Sequence, residues 1–387
     1  MADIEIGFGK SGRRAYGLDE ITIVPARRTR DPDDVDMSWE IDAYRLPLPL
    51  LGSAMDSVVS PETAGLIGRL GGIGVLNIEG LWTRYEDPEP AFETIRSAPD
   101  GEATARMQEV YAAPVIPELI GERVRQMREK ATLVSAAVTP QRARKLLDHL
   151  ASAEVDLLVI QGTIVTAEHK SKARKPLNLK KVVRELPMPV VVGGCASYEA
   201  GLHLMRTGAS GVLVGVGPGA ACTSRGVLGI GVPQATAIAD VRAARMRHLD
   251  ETGVYVHLIA DGGMATGGDI AKAIACGADA VMLGSPLAAA AEAPGGGYHW
   301  GMATPHPALP RGARVHVGRR GSLEEILLGP AREADGRGNL FGALSTTMAA
   351  SGHATLKELQ KAEVMVAPSI GTEGKALQRH QGVGMGL

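Results

Sequence analysis

The chain has 387 residues, of which 41 are basic and 43 acidic, so its formal net charge is −2. This balance opposes nucleic-acid binding through a basic surface, which needs an excess of Lys and Arg on one face. Hydrophobic residues make up 45% of the chain and charged residues 22%, which excludes long disordered stretches and predicts a large folded core.

Membrane and secretory classes are also disfavoured. No apolar run approaches the roughly 20 residues that span a bilayer, and the first ten residues carry two acidic groups without an apolar core. The three cysteines, Cys195, Cys222 and Cys276, form no CxxC pair, so free thiols are expected. The prediction is a cytoplasmic protein without a nucleic-acid or membrane partner.

Eight short apolar runs that end in glycine or small polar residues predict buried parallel strands. They cover residues 47–54, 72–78, 132–138, 156–161, 189–194, 211–217, 256–262 and 280–285. Segments of helical character lie between most of them, among them 198–208, 234–252 and 269–277. This alternation predicts an α/β fold, a (β/α)8 TIM barrel with its active site at the C-terminal ends of the strands. An open doubly wound sheet is the alternative, but GxGxxG is missing after the first run.

The rest of the chain is expected to complete one catalytic domain. It spans residues 1–370, with an N-terminal extension and an inserted loop at 80–130 that holds a helix from about Gly121. The segment 293–314 is rich in Gly, Pro and His and is predicted to be a mobile active-site loop. A helix-prone stretch covers 339–362. Residues 371–387 are predicted to form a flexible C-terminal tail.

A glycine-rich loop, GVGPGAACTSRG at residues 215–226, follows the sixth predicted strand. Its glycines let the backbone approach a ligand closely. Backbone N–H groups and nearby Arg225 would favour the thiolate of Cys222, which is the nucleophilic form. The alternative is that Cys222 is a small buried hydrophobic residue, which is the favoured interpretation of Cys276. Both interpretations stay open for Cys195.

Two further segments have the composition of a nucleotide site. In residues 259–285, Asp261 can accept two hydroxyl hydrogen bonds from a ribose diol, whereas Gly263, Gly284 and Ser285 offer N–H groups to a phosphate. Loops after the last two barrel strands often hold phosphate. Asp261 could instead cap a helix or turn. In residues 52–64, Ser53 and Met55 lie at the mouth of the first strand, and neighbouring Asp56 could equally be a structural cap.

Together these three segments resemble the IMP dehydrogenase and GMP reductase family. The stretch GLDEITIVPARRTRDPDDVD at 17–36 looks like the family's opening hairpin region, and GIGVPQATAIADV follows the cysteine loop. The likeness covers most of residues 17–290 and returns near 321–330 and 339–364. No regulatory cystathionine-β-synthase-type modules follow the second strand. The chain therefore looks like the short branch of the family, IMP dehydrogenase-related protein.

The resemblance implies roles for individual residues. Cys222 would attack C2 of the purine, with Ser224 beside it, and Asp261 would hold the ribose hydroxyls. The substrate-binding set is Ser53, Met55, Gly219, Ala220, Asp261, Gly262, Gly263, Gly284 and Ser285. NAD would contact Gln161, Gly162, Thr163, Gly215 and Gly217. Potassium would bind the carbonyls of Gly217, Gly219 and Cys222.

Several positions depart from the family pattern. Ala220 and Ser224 stand where the family usually has Ser and Thr, so one hydroxyl near the phosphate is lost. The fourth strand ends in Gln161 where an acidic residue is usual. The basic run KSKARKPLNLKK at 170–181 either contacts a dinucleotide phosphate or is a solvated face.

The water-activating flap of IMP dehydrogenases carries adjacent Arg and Tyr, and no such pair occurs beyond Cys222. The early pair Arg84-Tyr85 matches nothing catalytic. In the flap's place, 293–314 offers Tyr298, His299, His306 and Arg311. Arg311 is chosen as the base or orienting cation on position and chemistry.

Three functions remain in competition. The leading one is NAD-dependent oxidation of IMP to XMP through a covalent intermediate on Cys222, in guanine nucleotide biosynthesis. The second is NADPH-dependent deamination of GMP to IMP, with Ser224 standing where the reductase has Thr. The third is a catalytically silent purine-nucleotide sensor. The family commonly forms tetramers that pair to octamers, so a homotetramer or octamer is expected.

Overall fold

The centre of the molecule is a closed barrel of eight parallel strands, each hydrogen-bonded to the next in chain order. The computed structural model describes residues 4–172, 177–301, 306–367 and 374–386. The barrel strands are Leu50–Gly52, Ile73–Asn77, Ser135–Val138, Leu157–Gln161, Val190–Cys195, Gly211–Val214, His257–Asp261 and Ala280–Leu283. Each falls on one of the predicted runs, so the (β/α)8 prediction is confirmed.

The strands are apolar because both of their faces are covered. Nearly every strand residue is buried, with side chains packed inside the barrel or under the surrounding helices. The barrel closes where Leu51 of the first strand pairs with Ile73 on one side and with Met282 on the other. All eight carboxyl ends therefore meet at one rim.

Eight main helices surround the barrel, and their first turns begin close to this rim. They are Pro61–Arg69, Pro117–Arg128, Pro140–Ser152, Leu179–Glu185, Tyr198–Met205, Gln234–Thr252, Gly267–Ala275 and Leu340–Ala350. Three begin with proline, whose fixed φ suits the first helical position. Thr266 caps the helix after the seventh strand by accepting the Asp269 N–H. Short helices Ser224–Leu228, Ser285–Ala288, Leu323–Leu327 and Leu356–Leu359 complete the connections.

One expectation outside the barrel is wrong. The 17–36 region forms no hairpin of its own, because Ile21–Ile23 pairs with Val364–Val366 near the other end of the chain. The hairpins lie on either side, at Ile4–Gly7 with Lys10–Gly12 and at Trp39–Ile41 with Tyr44–Leu46. The helix-prone stretch 339–362 forms two helices, Leu340–Ala350 and Leu356–Leu359. The break is at Gly352, where φ is +77° and the Arg28 carbonyl lies 2.3 Å from where a Cβ would be.

The insert at 80–130 and the loop at 293–314 pack together beside the rim. The insert holds helices Glu89–Arg96, Ala103–Val110 and Pro117–Arg128, the last of which begins before the expected Gly121. Its small apolar cluster takes in Trp300 from the loop; the cluster is Leu81, Ala91, Phe92, Ile95, Met107, Val110 and Trp300. Tyr298–His299 pairs with Val315–His316 across the loop. The insert is thus a shelf that supports the loop.

Some predicted segments fall partly outside the described residues. These are 302–305 of the loop, 173–176 of the basic run, and 371–373 and 387 of the tail. The described part of the tail includes a helix, Ala376–Gln381. Among the helices of the described ranges, none is both long and apolar enough to cross a membrane.

Replacing Gly74 by alanine should open the packing of the first helix on the barrel. A Cβ at Gly74 would lie 2.5 Å from Ala64 Cα, and neither backbone can move without displacing the helix or strand. We expect the free energy of unfolding to fall by roughly 1–3 kcal/mol. Gly101→Ala is the matched control, since nothing lies within 4 Å of its added Cβ. Urea denaturation checks this, and equal midpoints for the two variants would contradict it.

Candidate active site

A cavity of about 730 Å³ opens at the carboxyl ends of the barrel strands. Besides Ser224, the sequence proposed sixteen residues for catalysis or for binding substrate, cofactor or cation. Every one of these sixteen residues lines the cavity. They are Ser53, Met55, Gln161, Gly162, Thr163, Gly215, Gly217, Gly219, Ala220, Cys222, Asp261, Gly262, Gly263, Gly284, Ser285 and Arg311. Ser224 is fully buried beside the cavity. The barrel therefore brings residues from five strand ends to one place.

The cysteine loop is tied to the loop at 293–314 by main-chain hydrogen bonds. Cys222 N donates to the Gly219 carbonyl (3.0 Å), which closes a turn inside the cysteine loop. Thr223 N donates to the Arg311 carbonyl (3.0 Å), and Ala313 N donates to the Ala221 carbonyl (2.8 Å). Arg311 and Cys222 are thereby placed on neighbouring strands of backbone.

Cys222 differs from the other two cysteines in its surroundings. It is half-buried, lines the cavity, and its thiol donates to the Ser224 hydroxyl at 3.4 Å. Burial raises the pKa of Cys195 to about 12 and that of Cys276 to about 11, so both stay protonated and inert. The structural interpretation holds for Cys195 and Cys276, and Cys222 is the thiol open to a ligand.

Arg225 has a different contact from the expected one. Its Nη2 donates to the Val232 carbonyl at 2.9 Å. Gly217 and Gly231 lie so close that a Cβ on either would be 2.7 Å from Arg225 Cγ. Arg225 braces the cysteine loop, and its hydrogen bond goes to the backbone rather than to the Cys222 sulfur.

Asp261 ends the seventh strand and is held from across the barrel by Gln161. Gln161 Nε2 donates to Asp261 Oδ2 at 3.0 Å, and Gln161 Oε1 is buried without a partner among the described residues. Burial raises the pKa of Asp261 to about 6, although the Gln161 hydrogen bond acts the other way. Thr266 caps the following helix, so Asp261 is not a helix cap. The pair offers hydrogen-bond acceptors to a ligand.

The first strand contributes Ser53 and Met55 but not Asp56. Ser53 Oγ is buried and has no partner within the described ranges. A Cβ at Gly284 would lie 3.6 Å from the Met55 sulfur, so these two residues are neighbours in the cavity wall. Asp56 accepts the Leu81 N–H (3.1 Å) and the Tyr111 hydroxyl instead. Asp56 therefore has a structural role, which is the interpretation that the sequence offered when it allowed Asp56 to be a structural cap.

Sequence reasoning left several lining residues without a role. Thr139 and Gln141 follow the third strand, and that position alone could have signalled them; Met264, Met282 and His306 also line the cavity. His299 is 2% exposed, and its Nδ1 lies 3.2 Å from Ser57 Oγ. Burial lowers the pKa of His299 to about 4. The sequence offered His299 only as one of four polar loop residues.

Two basic features lie outside the cavity wall. Arg84 Nε donates to the Glu79 carbonyl (2.9 Å), and the Tyr85 hydroxyl donates to the Val110 carbonyl (2.7 Å). This pair supports the insert, in keeping with its having no catalytic match. In the basic run, Lys181 lies 3.7 Å from Glu185 on the same exposed helix face, which favours the solvated interpretation over a dinucleotide contact.

Removing the Tyr111 hydroxyl should destabilise the shelf under the loop. This hydroxyl accepts the Trp300 indole N–H (2.9 Å) and donates to Asp56, a carboxyl whose pKa burial raises to about 6. Tyr111→Phe leaves Asp56 with the Leu81 N–H and Trp300 with no acceptor. We expect a loss of roughly 1–3 kcal/mol.

The loss should grow with pH. The folded pKa of Asp56 already exceeds its unfolded value of 3.8, so stability that is present at low pH is lost as pH rises through the folded pKa. Tyr111→Phe removes a hydrogen bond to the carboxylate and therefore raises the folded pKa of Asp56 further. The variant consequently loses more stability than the wild type at high pH. Thermal melts at pH 5 and pH 8 check this. Tyr85→Phe removes a hydroxyl that binds only a neutral carbonyl, so its deficit should be the same at both pH values; a pH-independent deficit in Tyr111→Phe would refute the assignment.

Known proteins are similar to this chain over most of its length. A family model described as "IMP dehydrogenase / GMP reductase domain" matches residues 15–302. An uncharacterized oxidoreductase of Mycobacterium leprae is 50% identical over 373 residues, covering 94% of this chain and all of the relative. An inosine-5'-monophosphate dehydrogenase of Methanocaldococcus jannaschii is 30% identical and covers 73% of each chain. The crystal structure of an IMP dehydrogenase/GMP reductase-like protein of Corynebacterium glutamicum superposes with a TM-score of 0.89 at 45% identity, covering 94% of this chain and 97% of the other.

Proposed function

This chain belongs to the IMP dehydrogenase / GMP reductase family of oxidoreductases, and from that premise we propose that it oxidises IMP to XMP with NAD. The observation that carries the proposal is the lining of one cavity by Cys222, Asp261 and the glycines after the last two strands. A nucleophile, a diol acceptor and phosphate-suited loops in one cavity fit a covalent reaction on a nucleoside monophosphate.

The substrate would lie with its phosphate at the loops after the seventh and eighth strands. Gly263, Gly284 and Ser285 would offer N–H groups to the phosphate, and Asp261 would accept the two ribose hydroxyls. Ser53 supports this pose, since its buried hydroxyl has no partner in the described residues and a bound nucleotide would supply one. The cavity volume is in the range of small-molecule sites.

Cys222 would perform the chemistry together with Ser224. The thiol already donates to the Ser224 hydroxyl and Cys222 lines the cavity, so Ser224 would hold the sulfur in place at the cavity wall. Release of the thiol proton to solvent and formation of the S–C2 bond would activate the hydride at C2 for departure. Later attack by water at C2, with loss of one proton from that water, would break the S–C2 bond, restore the thiol and release XMP. Arg311 is proposed to orient or deprotonate that water, because its segment is bonded to the cysteine loop.

One unpartnered polar atom supports the residues expected to hold NAD. Gln161 Oε1 is a buried acceptor without a partner in the described residues, and Gly162, Thr163, Gly215 and Gly217 continue the same wall. When bound, NAD supplies the acceptor for the hydride that leaves C2. Gln161 would accept a hydrogen bond from a hydroxyl or amide of the dinucleotide.

Potassium would find neutral carbonyl ligands, which suit a monovalent cation. The Gly219 carbonyl already accepts the Cys222 N–H, so only its second lone pair could face a cation beside Gly217 and Cys222. The cation would have no part in the chemical steps described above.

We also propose that the protein is a cytoplasmic homotetramer or octamer. Size-exclusion chromatography with light scattering can check its oligomeric state.

The deciding experiment is a pair of parallel assays on purified protein, with potassium present. Rising NADH absorbance with IMP and NAD supports the dehydrogenase. Falling NADPH absorbance with GMP, accompanied by ammonia, would instead establish the reductase. Tight IMP binding without either absorbance change would leave a nucleotide sensor.

The reductase is kept as the second candidate because of Ser224. Its hydroxyl lies 3.4 Å from the Cys222 sulfur, where a proton could pass to departing ammonia. Reduction also requires no attack by water, so a loop without an Arg-Tyr pair would suffice for it.

A further inference from the structure

His299 forms part of the cavity wall at the end of the eighth strand. Its side chain is 2% exposed, and Ser57 Oγ lies 3.2 Å from Nδ1. A Cβ added to Gly284 would lie 3.2 Å from Nε2 and 3.1 Å from Cε1 of His299. Nε2 has no hydrogen-bond partner among the described residues, and both His299 and Gly284 line the cavity. The histidine therefore presents an unused polar atom beside Gly284.

A second unused polar atom lies on the same side of the cavity. Ser53 N donates to the Leu283 carbonyl at 2.9 Å, which places Ser53 next to Gly284. Ser53 Oγ is buried without a partner in the described part of the chain. The buried Ser53 Oγ and His299 Nε2 at the cavity wall both adjoin the loop after the eighth strand, and together they point to one polar ligand group there. Barrels of this kind often bind phosphate at that loop.

We propose that His299 binds the phosphate group of the substrate nucleotide through Nε2, and that Ser57 positions the imidazole ring. This inference rests on the proposed function, because it names the side chain that distinguishes a nucleoside monophosphate from a nucleoside at that site. His299 would contact the phosphate directly, whereas Ser57 would act only by holding the His299 ring in position.

The Ser57 contacts permit the ring tautomer that this role requires. Ser57 Oγ accepts the Trp300 N–H at 3.3 Å, and its own proton can go to His299 Nδ1 at 3.2 Å or to the Trp300 carbonyl at 3.4 Å. As part of the proposal, we assign the Ser57 proton to His299 Nδ1. The ring proton is then on Nε2, where it can be donated to a phosphate oxygen.

The neighbouring titratable groups leave His299 without a counter-charge until a ligand binds. Asp56 and Tyr111 are bonded to each other, Arg314 stacks on Tyr298 at 4.4 Å, and the His316 ring packs on Tyr298 at 5.1 Å. Arg311 and His306 line the cavity and carry no negative charge, and the Asp261 carboxyl in the same wall accepts a hydrogen bond from Gln161 rather than from His299. Burial lowers the pKa of His299 to about 4, so the free ring is neutral near pH 7. A phosphate dianion would raise that pKa, and phosphate binding would therefore take up a proton as pH falls.

The test compares IMP with inosine, which lacks the phosphate, by calorimetry on the full chain. We expect His299→Gln to weaken IMP binding roughly ten- to a hundredfold, the size of one hydrogen bond to a charged group, and to leave inosine binding unchanged. Ser57→Ala should weaken IMP binding in the same direction by a smaller factor. His316→Gln is the matched control, since His316 is exposed and does not line the cavity.

A pH series keeps the proposal open to refutation if a variant folds poorly. In the wild type, the ratio of IMP affinity to inosine affinity should rise as pH falls from 8 to 6, because loss of the Asp261 carboxylate lowers both affinities alike. The proton uptake on IMP binding should be measurable in buffers of different ionisation heat. Inosine should show no such uptake by His299. Equal wild-type affinity for IMP and inosine, or equal weakening of both ligands by His299→Gln, would overturn the phosphate role and leave the proposed function standing. Failure of the wild type to bind IMP and inosine at all would overturn both.

Discussion

Cys222→Ala is expected to lower kcat for IMP oxidation by about four orders of magnitude or more, while IMP still binds. Without the sulfur no covalent bond to C2 can form, so the hydride is not activated and no intermediate exists for water to cleave. Binding should survive, because Asp261 and the loops around Gly263 and Gly284 are untouched. The effect should therefore appear in kcat rather than in the Kd of IMP.

NADH absorbance gives the rate, and calorimetry gives the affinity. Cys276→Ala is the matched control: burial raises the pKa of that thiol to about 11, and it ends a barrel helix outside the cavity wall, so turnover should be unchanged. Mass spectrometry of acid-quenched enzyme should find the adduct on Cys222 in the wild type only. Turnover by Cys222→Ala near the wild-type rate would rule out covalent catalysis.

Asp261→Asn is expected to weaken nucleoside binding by roughly a hundredfold, because two hydroxyl hydrogen bonds to a carboxylate are replaced by weaker bonds to a neutral amide. The pH dependence of nucleoside affinity should follow the charge of Asp261. Burial raises the pKa of Asp261 to about 6, so the carboxylate is lost as pH falls through 6 and wild-type affinity should fall with it. Inosine is the ligand for this measurement, since it excludes the opposite effect expected at His299. An inosine Kd that does not change between pH 5 and pH 8 would contradict the assignment.

The same substitution should stabilise the unliganded protein. A folded pKa of about 6 against an unfolded value of 3.8 corresponds to roughly 2–3 kcal/mol of stability that is present at low pH and lost as pH rises through 6. Asparagine removes that loss, so Asp261→Asn should melt a few degrees above the wild type at pH 8, and the difference should shrink toward pH 4.

Asp279→Asn provides a control of opposite sign. Asp279 is also buried, which by itself raises its pKa, but Arg245 at 2.7 Å and Lys357 outweigh burial and lower the pKa to about 2. Its carboxylate therefore stabilises the fold above the unfolded pKa, and the asparagine variant should melt below the wild type at pH 8. Destabilisation of both variants at pH 8 would show that Asp261 is held as a structural ion instead.

Local sequence patterns were sufficient for the barrel and for most of the cavity wall. Each strand is buried on both faces, so it reads as an uninterrupted apolar run, and the residue after it is placed at the rim by the parallel topology. This is why Ser53, Cys222, Asp261 and Gly284 could be assigned to one cavity from their positions after strands. Gln161 was assigned to it only through the family resemblance. The same logic failed for Asp56, because a rim position does not say which way a side chain turns.

Tertiary structure alone decided the contacts between segments far apart in the chain. Gln161 reaches Asp261 across 100 positions, and Ser57 reaches His299 across 242. Ile21–Ile23 pairs with Val364–Val366 for the same reason. No periodicity or spacing encodes such pairs, since each segment satisfies only its own local pattern and the packing of the whole barrel chooses its partner. The charge state of Asp261 and the neutral ring of His299 follow from that packing, because burial, which sets both pKa values, does not exist until the barrel closes.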